Sequence, residues 1–592
     1  MLLLPEARTS IMADAMAHLN PAEEASIRAL TEVYGCLDRR EGFLLEAGAG
    51  AGKTYSLVKA LQFLVNRDQH KLLKRHQKIA CITFTNVAKD EIRDRTDRSP
   101  LIYCDTIHAF CWSLISGFQR QIREHLPQME HWPDKIEEVG DLAERTIEYT
   151  LEHRSIREDR VSIHHDDVLL LTIFLMENVK FRRIFANKYP IILIDEYQDT
   201  NAGWIESIKG HFLGQDASPQ FGFFGDHWQK IYGDGCGKIE HASLTVIGHE
   251  ANFRSVKTIV DCLNRMRPEL PQFVVDPDEQ GYVRIFHTNK WTGARLTGNH
   301  WKGDLPTEEA DVALQIVIDR LTEDGWDLSS DKTKILMLTH RGLASKQGYN
   351  SLPAIFAFNE SFAKKEHAHI AFFADVLEPA CEAYLNRKFG EMFFVLGGNV
   401  PAIRGQADKK RWSVAMDRLI ELRNNGTVGE VIDHLRHVRR PRLPDAVERR
   451  ERELEQFNRD AGEEMPRFLS ELEALRVVPY QEIIALTRYL SGHSPFETKH
   501  GVKGAGFENV LVVVGRGWNQ YDFNNMLELA QEGVHIPVNK QKAFERNRNL
   551  FYVACSRPKK RLSILFTQKL SNVAMNTVNA WFGNEVNEGL EF

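Results

Sequence analysis

Eight residues, Ala47-Gly48-Ala49-Gly50-Ala51-Gly52-Lys53-Thr54, say more about this chain's architecture than any comparable stretch. They follow an apolar run at 42–46 and precede a helical pattern that starts near Tyr55. Strand, tight loop and helix in that order form the context of a phosphate-binding loop. Small residues let backbone N–H groups wrap phosphate oxygens, Lys53 reaches the β/γ oxygens, and the Thr54 hydroxyl is placed to bind Mg²⁺. Ala47 stands where the general pattern has glycine. A flexible Gly/Ala turn would explain neither the Lys-Thr ending nor the strand before it. Nucleoside triphosphate binding is therefore expected.

A second acid-bearing strand end supports this reading. The apolar run 191–194 leads into Asp195-Glu196-Tyr197-Gln198-Asp199-Thr200-Asn201. Such a strand delivers two adjacent carboxylates to one point. Asp195 can hold Mg²⁺ through a bound water, and Glu196 can polarise an attacking water. Further short runs rich in Ile, Val and Phe lie at 78–83, 190–194, 221–225, 334–338, 509–514 and 561–566, separated by helical stretches. This is the pattern of buried parallel strands in α/β domains. Two clusters of them, before and after about residue 260, predict two wound sheets. The segments 112–160 and 347–490 break the alternation and read as helical insertions.

Composition sets the bounds. At 592 residues the chain is too long for one core and suggests three or four domains. No apolar run approaches the roughly 20 residues of a membrane helix. Leu2-Leu3-Leu4 is cut short by Pro5 without a basic flank, so no signal peptide is expected and a cytoplasmic location is. The eight cysteines form no Cys-x-x-Cys pair, and Cys104 and Cys111 around His108 fit no familiar zinc spacing, so reduced and mostly buried thiols are expected. A protein that merely coats nucleic acid is usually basic overall; the net charge of −7 here does not exclude a local positive groove, and charge alone leaves the partner undecided.

Further motifs follow in a fixed order. They are Thr83-Phe84-Thr85-Asn86 with Ala88 and Glu91; Thr106-Ile107-His108-Ala109-Phe110; Gly225-Asp226-His227-Trp228-Gln229-Lys230-Ile231-Tyr232; Asn252-Phe253-Arg254-Ser255; Thr498-Lys499-His500-Gly501-Val502-Lys503-Gly504 with Phe507; and Tyr552-Val553-Ala554-Cys555-Ser556-Arg557. With the phosphate loop and Asp-Glu-Tyr-Gln-Asp-Thr at 195–200, the set resembles motifs I to VI of the UvrD/Rep/PcrA-like superfamily 1 helicases. It spans residues 19–561.

The resemblance implies an α/β fold of two RecA-like parallel-sheet domains with helical accessory subdomains. By position, the N-terminal RecA-like domain would be 1–111 and 161–258, with 112–160 a small helical insertion. The C-terminal one would be 259–346 and 491–592, with 347–490 the accessory insertion. It implies ATP hydrolysis with Mg²⁺, coupled to stepping along single-stranded or partial-duplex DNA, usually 3′ to 5′; the residues do not separate DNA from RNA.

Carried over by position, Lys53, Asp195, Glu196, Gln229, Arg254 and Arg557 would be catalytic. Gln229 would sense the γ-phosphate, and the two arginines would stabilise charge on the transferring phosphoryl group. Residues 47–54, Glu23 and Gly504 would contact nucleotide, and Thr54 and Asp195 would serve the metal. Phe84, Thr85, Asn86, His108, Trp228, Tyr232 and His500 would form the nucleic-acid track, with aromatic rings giving sequence-tolerant stacking. Phe110 reads as core.

Two positions depart from the pattern. Glu23 stands where the family has an adenine-reading glutamine, and a carboxylate cannot donate to N7; Asn20, Pro21 and Glu23 also make a capping box. Gly506 replaces a glutamate that would contact ribose, so weak nucleotide-base selectivity is expected. Only residues 558–592 follow Arg557, so no appended nuclease domain is expected. Within 347–490, Arg436, His437, Arg439, Arg440 and Arg442 form a basic cluster suited to duplex DNA, to a partner or to a solvated face. A rival reading is a nucleic-acid-sensing NTPase that regulates a partner such as a nuclease without processive unwinding.

Overall fold

The computed structural model describes residues 19–592 except 143, 151–153, 217, 232, 234, 299–300, 339–347, 350, 357–361, 363–364, 366, 398–399, 401–402, 458–464, 491–495, 498–504 and 517–520. Tyr232, His500 and Gly504 lie outside the described residues. The chain forms two compact units. The first runs to Arg284 and takes in Phe523–Leu562 and Ser571–Asn587; the second holds Ile285–Asp522, Ser563–Leu570 and Glu588–Phe592.

The first unit opens with helix α1 (Pro21–Arg39), whose Asn20 cap and Glu23 close a capping box, and continues into β1 (Gly42–Ala47). Helix α2 (Lys53–Lys74), β2 (Ile79–Thr83), α3 (Asn86–Arg95), β3 (Ile102–Thr106) and α4 (Ile107–Ile115) follow. The segment read as a helical insertion holds short helices, and also a three-stranded sheet of β4 (Thr146–Tyr149), β5 (Ser155–Ile156) and β6 (Arg160–Ile163). The strand content is a correction to that reading. Ile147, Val161 and Ile163 are buried in the same core cluster as Trp132, which a polar average over the segment conceals.

Strands β7 (Ile191–Asp195), β8 (Gln220–Gly225) and β9 (Leu244–His249) complete a six-stranded sheet of order β3-β2-β7-β8-β1-β9, with parallel pairing throughout. Its central strands β2, β7, β8 and β1 are buried on both faces. Phe43, Leu45 and Leu193 enter one core cluster while Leu44, Ile192 and Ile194 enter another. Each such side chain contributes about 1.5–3 kcal/mol relative to exposure. Parallel pairing brings every carboxyl end to one edge, where the loops after β1, β2, β3, β7 and β8 emerge. Ligands of open α/β sheets bind at that edge. Short strands β10 (Ala251–Asn252) and β11 (Phe273–Val274), helix α5 (Lys257–Met266) and the later helix α6 (Val538–Cys555) finish the parts of this unit that concern the site.

The second unit is built on a sheet of order β14-β13-β15-β16-β12-β17, formed by β12 (Tyr282–His287), β13 (Thr333–Met337), β14 (Phe496–Glu497), β15 (Phe507–Val514), β16 (Pro558–Phe566) and β17 (Asn587–Gly589). β13 pairs in parallel with β14 and β15. Among the described residues between 352 and 490 the regular elements are helices, from Leu352–Ile355 to Tyr480–Leu490. Part of the basic cluster there is neutralised internally, because Arg436 pairs with Glu448 at 3.4 Å and with Glu455. The fold is therefore α/β, with two RecA-like parallel-sheet domains and helical insertions. All eight cysteines are free thiols and seven are buried. Among the described residues no helix is long and apolar enough to cross a membrane.

Candidate active site

The phosphate loop joins β1 to α2 at the carboxyl edge of the first sheet. Gly50 and Gly52 have φ of 76° and 81°, left-handed values that favour glycine. Gly52 is the N-cap of α2, has no side chain to close the cap, and is followed by Lys53. No acidic residue lies in the first turn of α2. The free N–H groups, the positive helix end and Lys53 thus all favour an incoming anion.

The loop is held from behind. Asn252 Nδ2 and Gln272 Nε2 each donate to Ala49 O at 3.0 Å, and the Phe253 N–H donates to Gly50 O at 2.9 Å. Gln272 belongs to no motif read from the sequence. A polar side chain in an otherwise unremarkable turn carries no signal there.

Asp195 ends β7 and is 5% exposed; Glu196 follows with φ 49°. A left-handed non-glycine residue stores about 1–2 kcal/mol of strain, and here it turns the carboxylate toward the loop. Lys53 Nζ lies 3.6 Å from Glu196 Oε1, and Gln198 Nε2 donates to Glu196 Oε2 at 2.5 Å. Thr54, second residue of α2, is half-buried beside them in sequence.

Gln229 closes a short 3₁₀ turn, His227–Gln229, whose cap is the Asp226 side chain. Gln229 Nε2 donates to Asp226 Oδ2 at 2.7 Å, and its Oε1 accepts from Arg557 Nη2 at 3.3 Å. Arg557 follows the Ser556 C-cap of α6 and is fully buried; its Nε also donates to Val553 O at 2.8 Å. Arg254 Nη1 donates to Ser556 O at 3.0 Å. Burial lowers the Arg254 guanidinium below its usual range, and burial with the neighbouring Arg254 pulls Arg557 down to about 9. Beside a phosphate loop, the buried Arg557, whose charge the half-buried Arg254 disfavours, favours an anion close by. Their donor set fits a triphosphate.

The structure therefore links Lys53 to Glu196, Gln229 to Arg557, and Arg254 and Glu196 to Arg557, while Thr54 and Asp195 adjoin Lys53 and Glu196 in sequence. Glu23 is committed elsewhere: its Oε2 accepts from the Asn20 N–H at 3.1 Å. Gly506 lies just before β15 in the second unit.

The nucleic-acid candidates divide into two groups. Phe84 is 37% exposed at the carboxyl end of β2; Thr85 caps α3 by accepting from Ala88 N at 3.2 Å, and Asn86 is exposed beside them. β3 runs parallel next to β2 with Thr83 opposite Thr106, which places His108 close by on the same edge. His108 is half-buried, 4.7 Å between ring centroids from His165, and burial together with His165 lowers it to about 4.

Trp228 differs. It is 7% exposed, with Arg548 over the ring at 3.8 Å, Arg267 at 5.4 Å and Tyr552 edge-on at 5.3 Å. The expectation of a stacking platform is corrected at this position, because cation–π and aromatic packing already occupy the indole. Phe110 is core, as expected.

The AAA domain family matches residues 37–234, the span that carries the phosphate loop and the Asp195–Glu196 strand. ATP-dependent DNA helicase PcrA of Staphylococcus aureus strain Mu50 is 24% identical over 40% of this chain and 39% of its own length, and ATP-dependent DNA helicase Rep of Buchnera aphidicola is 25% identical over 38% and 40%. The chain is similar to the UvrD/Rep/PcrA-like superfamily 1 helicases. It is an ATP hydrolase of that class. Gabija protein GajB of Bacillus cereus strain HuB5-5 is 22% identical over 93% of this chain and 96% of its own length, so that similarity runs nearly end to end. The similarity to PcrA and Rep, by contrast, spans about two fifths of those proteins.

Proposed function

We propose that the chain is a 3′→5′ translocase and helicase on single-stranded and partial-duplex DNA, driven by ATP. The observation that carries this is the convergence of Lys53, Glu196, Gln229, Arg254 and Arg557 around one phosphate loop, with Arg557 buried and its charge disfavoured by the neighbouring Arg254. Lys53 holds the β/γ oxygens, and Glu196 orients and deprotonates the attacking water. Arg254 and Arg557 meet the charge that spreads over the transferring phosphoryl group, a role worth a factor of about 10³ or more. Gln229 connects that phosphate to Arg557 and Asp226. Thr54 and Asp195 would hold Mg²⁺, which supplies charge neutralisation between phosphate oxygens when bound.

Phe84, Thr85 and Asn86, exposed, with the half-buried His108 beside them, form the edge that a strand would follow. Their neighbours on the same sheet edge carry the ATP site, so strand position and hydrolysis share one rigid framework. As part of this reading, the boundaries given by motif position define the two RecA-like domains and the 347–490 accessory subdomain. The eight free thiols favour a reducing, cytoplasmic setting.

Unwinding of a 3′-tailed but not a 5′-tailed duplex tests the proposal. A second reading, an NTPase that senses nucleic acid and regulates a partner such as a nuclease, draws on the short extent of similarity to PcrA and Rep beside the end-to-end similarity to GajB. Strand-stimulated hydrolysis without unwinding of either substrate would favour it.

A further inference from the structure

Arg267 belongs to no motif, yet it is 2% exposed and lies at the centre of a charge network. It caps the carboxyl end of α5 and turns its guanidinium inward. Nη1 donates to Asp226 Oδ1 at 2.6 Å, and Nη2 lies 3.5 Å from Glu46 Oε2. Glu46 lies on β1, immediately before Ala47 where the phosphate loop begins; it also accepts from the Tyr197 hydroxyl and sits 3.1 Å from His227 Nδ1. The second oxygen of Asp226 accepts from Gln229 Nε2 at 2.7 Å, which leaves Gln229 Oε1 facing Arg557.

Glu46, Asp226 and His227 have the composition of a metal site, with ligand atoms within 4.8 Å of one another. The guanidinium of Arg267 supplies the positive charge there. Burial opposes ionisation of Asp226, but Arg267 and then Lys53 outweigh it and hold this carboxyl below its usual range. Burial likewise opposes the charge on Arg267, and Asp226, Tyr552 and Glu46 together raise it above the usual arginine range. A planar fork holds its donors in a fixed, divergent geometry toward two carboxylates, whereas an ammonium is a compact point charge that fixes neither direction.

We propose that Arg267 is a positioning residue for ATP hydrolysis: through Asp226 it fixes the orientation of the Gln229 carboxamide, and through Glu46 it sets that orientation against the phosphate loop. Without the fork, Asp226 Oδ1 keeps only the Trp228 N–H at 3.0 Å, the carboxylate loses its charged partner, and Gln229 is freer to turn its amide toward Arg557, where donor would face donor. The inference rests on the ATPase reading above.

The test compares full-length wild type, Arg267→Lys and Glu46→Gln in steady-state ATPase assays with saturating single-stranded DNA. Binding of a non-hydrolysable ATP analogue and thermal melting are measured on the same samples. Arg267→Lys keeps the charge and loses the fork. We expect its kcat to fall about tenfold or more, with KM and analogue Kd within about threefold of wild type, the pattern of an interaction made in the transition state alone. Glu46→Gln still accepts from Tyr197 and keeps Asp226 anchored, so its kcat falls less than that of Arg267→Lys.

Wild-type kcat in folded Arg267→Lys overturns the proposal, as does a proportional loss of kcat and analogue affinity with a lowered Tm. If Arg267→Lys does not fold, wild-type kcat in Glu46→Gln overturns it instead. No turnover in the wild type would sink the functional reading, and this proposal with it. Turnover in the wild type with either overturning result sinks the proposal alone.

Discussion

Arg557 Nη2 lies 3.3 Å from Gln229 Oε1, across 328 residues of sequence. This contact joins the last motif of the chain to the loop after β8, and it places a buried guanidinium within reach of the phosphate loop. Arg557→Ala should therefore lower kcat about 10³-fold with smaller change in nucleotide affinity. Arg557→Lys should restore little, because a point charge cannot bond Gln229, Ser556 and an incoming oxygen in one plane. Steady-state kinetics on both variants check this, and near-wild-type kcat in Arg557→Ala would remove it from the site.

Trp228 and Phe84 should behave differently when truncated. Trp228 packs under Arg548 and Tyr552, so Trp228→Ala opens a cavity and costs about 3–5 kcal/mol. Its Tm should drop, and basal and strand-stimulated ATPase should fall together. Phe84→Ala should leave Tm unchanged and weaken single-strand binding by about 1–3 kcal/mol, alike for many sequences. Melting curves and fluorescence titrations with unrelated oligonucleotides separate the two.

Base selectivity should be low. The Glu23 carboxylate accepts from the Asn20 N–H at 3.1 Å and has no hydrogen to give to adenine N7. Gly506 offers no side chain to a ribose hydroxyl. Each lost neutral hydrogen bond is worth about 0.5–1.5 kcal/mol. Activity with dATP, and to a lesser degree GTP, should stay within about tenfold of ATP in kcat/KM. A hundredfold preference for ATP over both would mean that other residues read the base and sugar.

Two histidines of the first unit make stability sensitive to acid. Burial lowers both His108 and His249 to about 4, aided by His165 at the first and by Lys53 at the second. The unfolded chain takes up these protons near the ordinary value of 6.5, before the folded one does. Stability therefore falls as pH drops from about 6.5 to about 4 and levels below. Tm measured across that range should decline, and the decline should be shallower in His249→Gln. A pH-independent Tm from 6.5 to 4 would contradict this.

Much of the site was legible in the sequence because its chemistry is local. A loop ending in Lys53-Thr54, and a strand ending in Asp195-Glu196, state their geometry in consecutive residues. The apolar runs at 42–46, 191–194 and 509–514 fall within observed strands, since strands buried on both faces must be apolar throughout. Arg267, Arg548 and Gln272 were not legible. Each acts through a partner 20 or more residues away, and nothing in an isolated arginine or glutamine marks it as buried. Glu46 was the exception that could have been found, an acid inside the apolar run 43–47. The Trp228 reading failed for the same reason, since the rings and cations that cover it come from distant segments. β4 to β6 were missed because each strand is only two to four residues long.

The most direct measurement is ATP hydrolysis by wild type and Glu196→Gln, each with and without single-stranded DNA, alongside nucleotide binding. Glu196 sits 3.6 Å from Lys53 with its carboxylate turned to the loop. The wild type should hydrolyse ATP faster when the strand is present. Glu196→Gln should bind ATP as the wild type does yet lose turnover by about 10²-fold or more in both conditions, since it retains the shape and loses the base. Wild-type hydrolysis by Glu196→Gln, or a wild-type rate indifferent to DNA, would contradict an ATP site at this loop that drives motion along a strand.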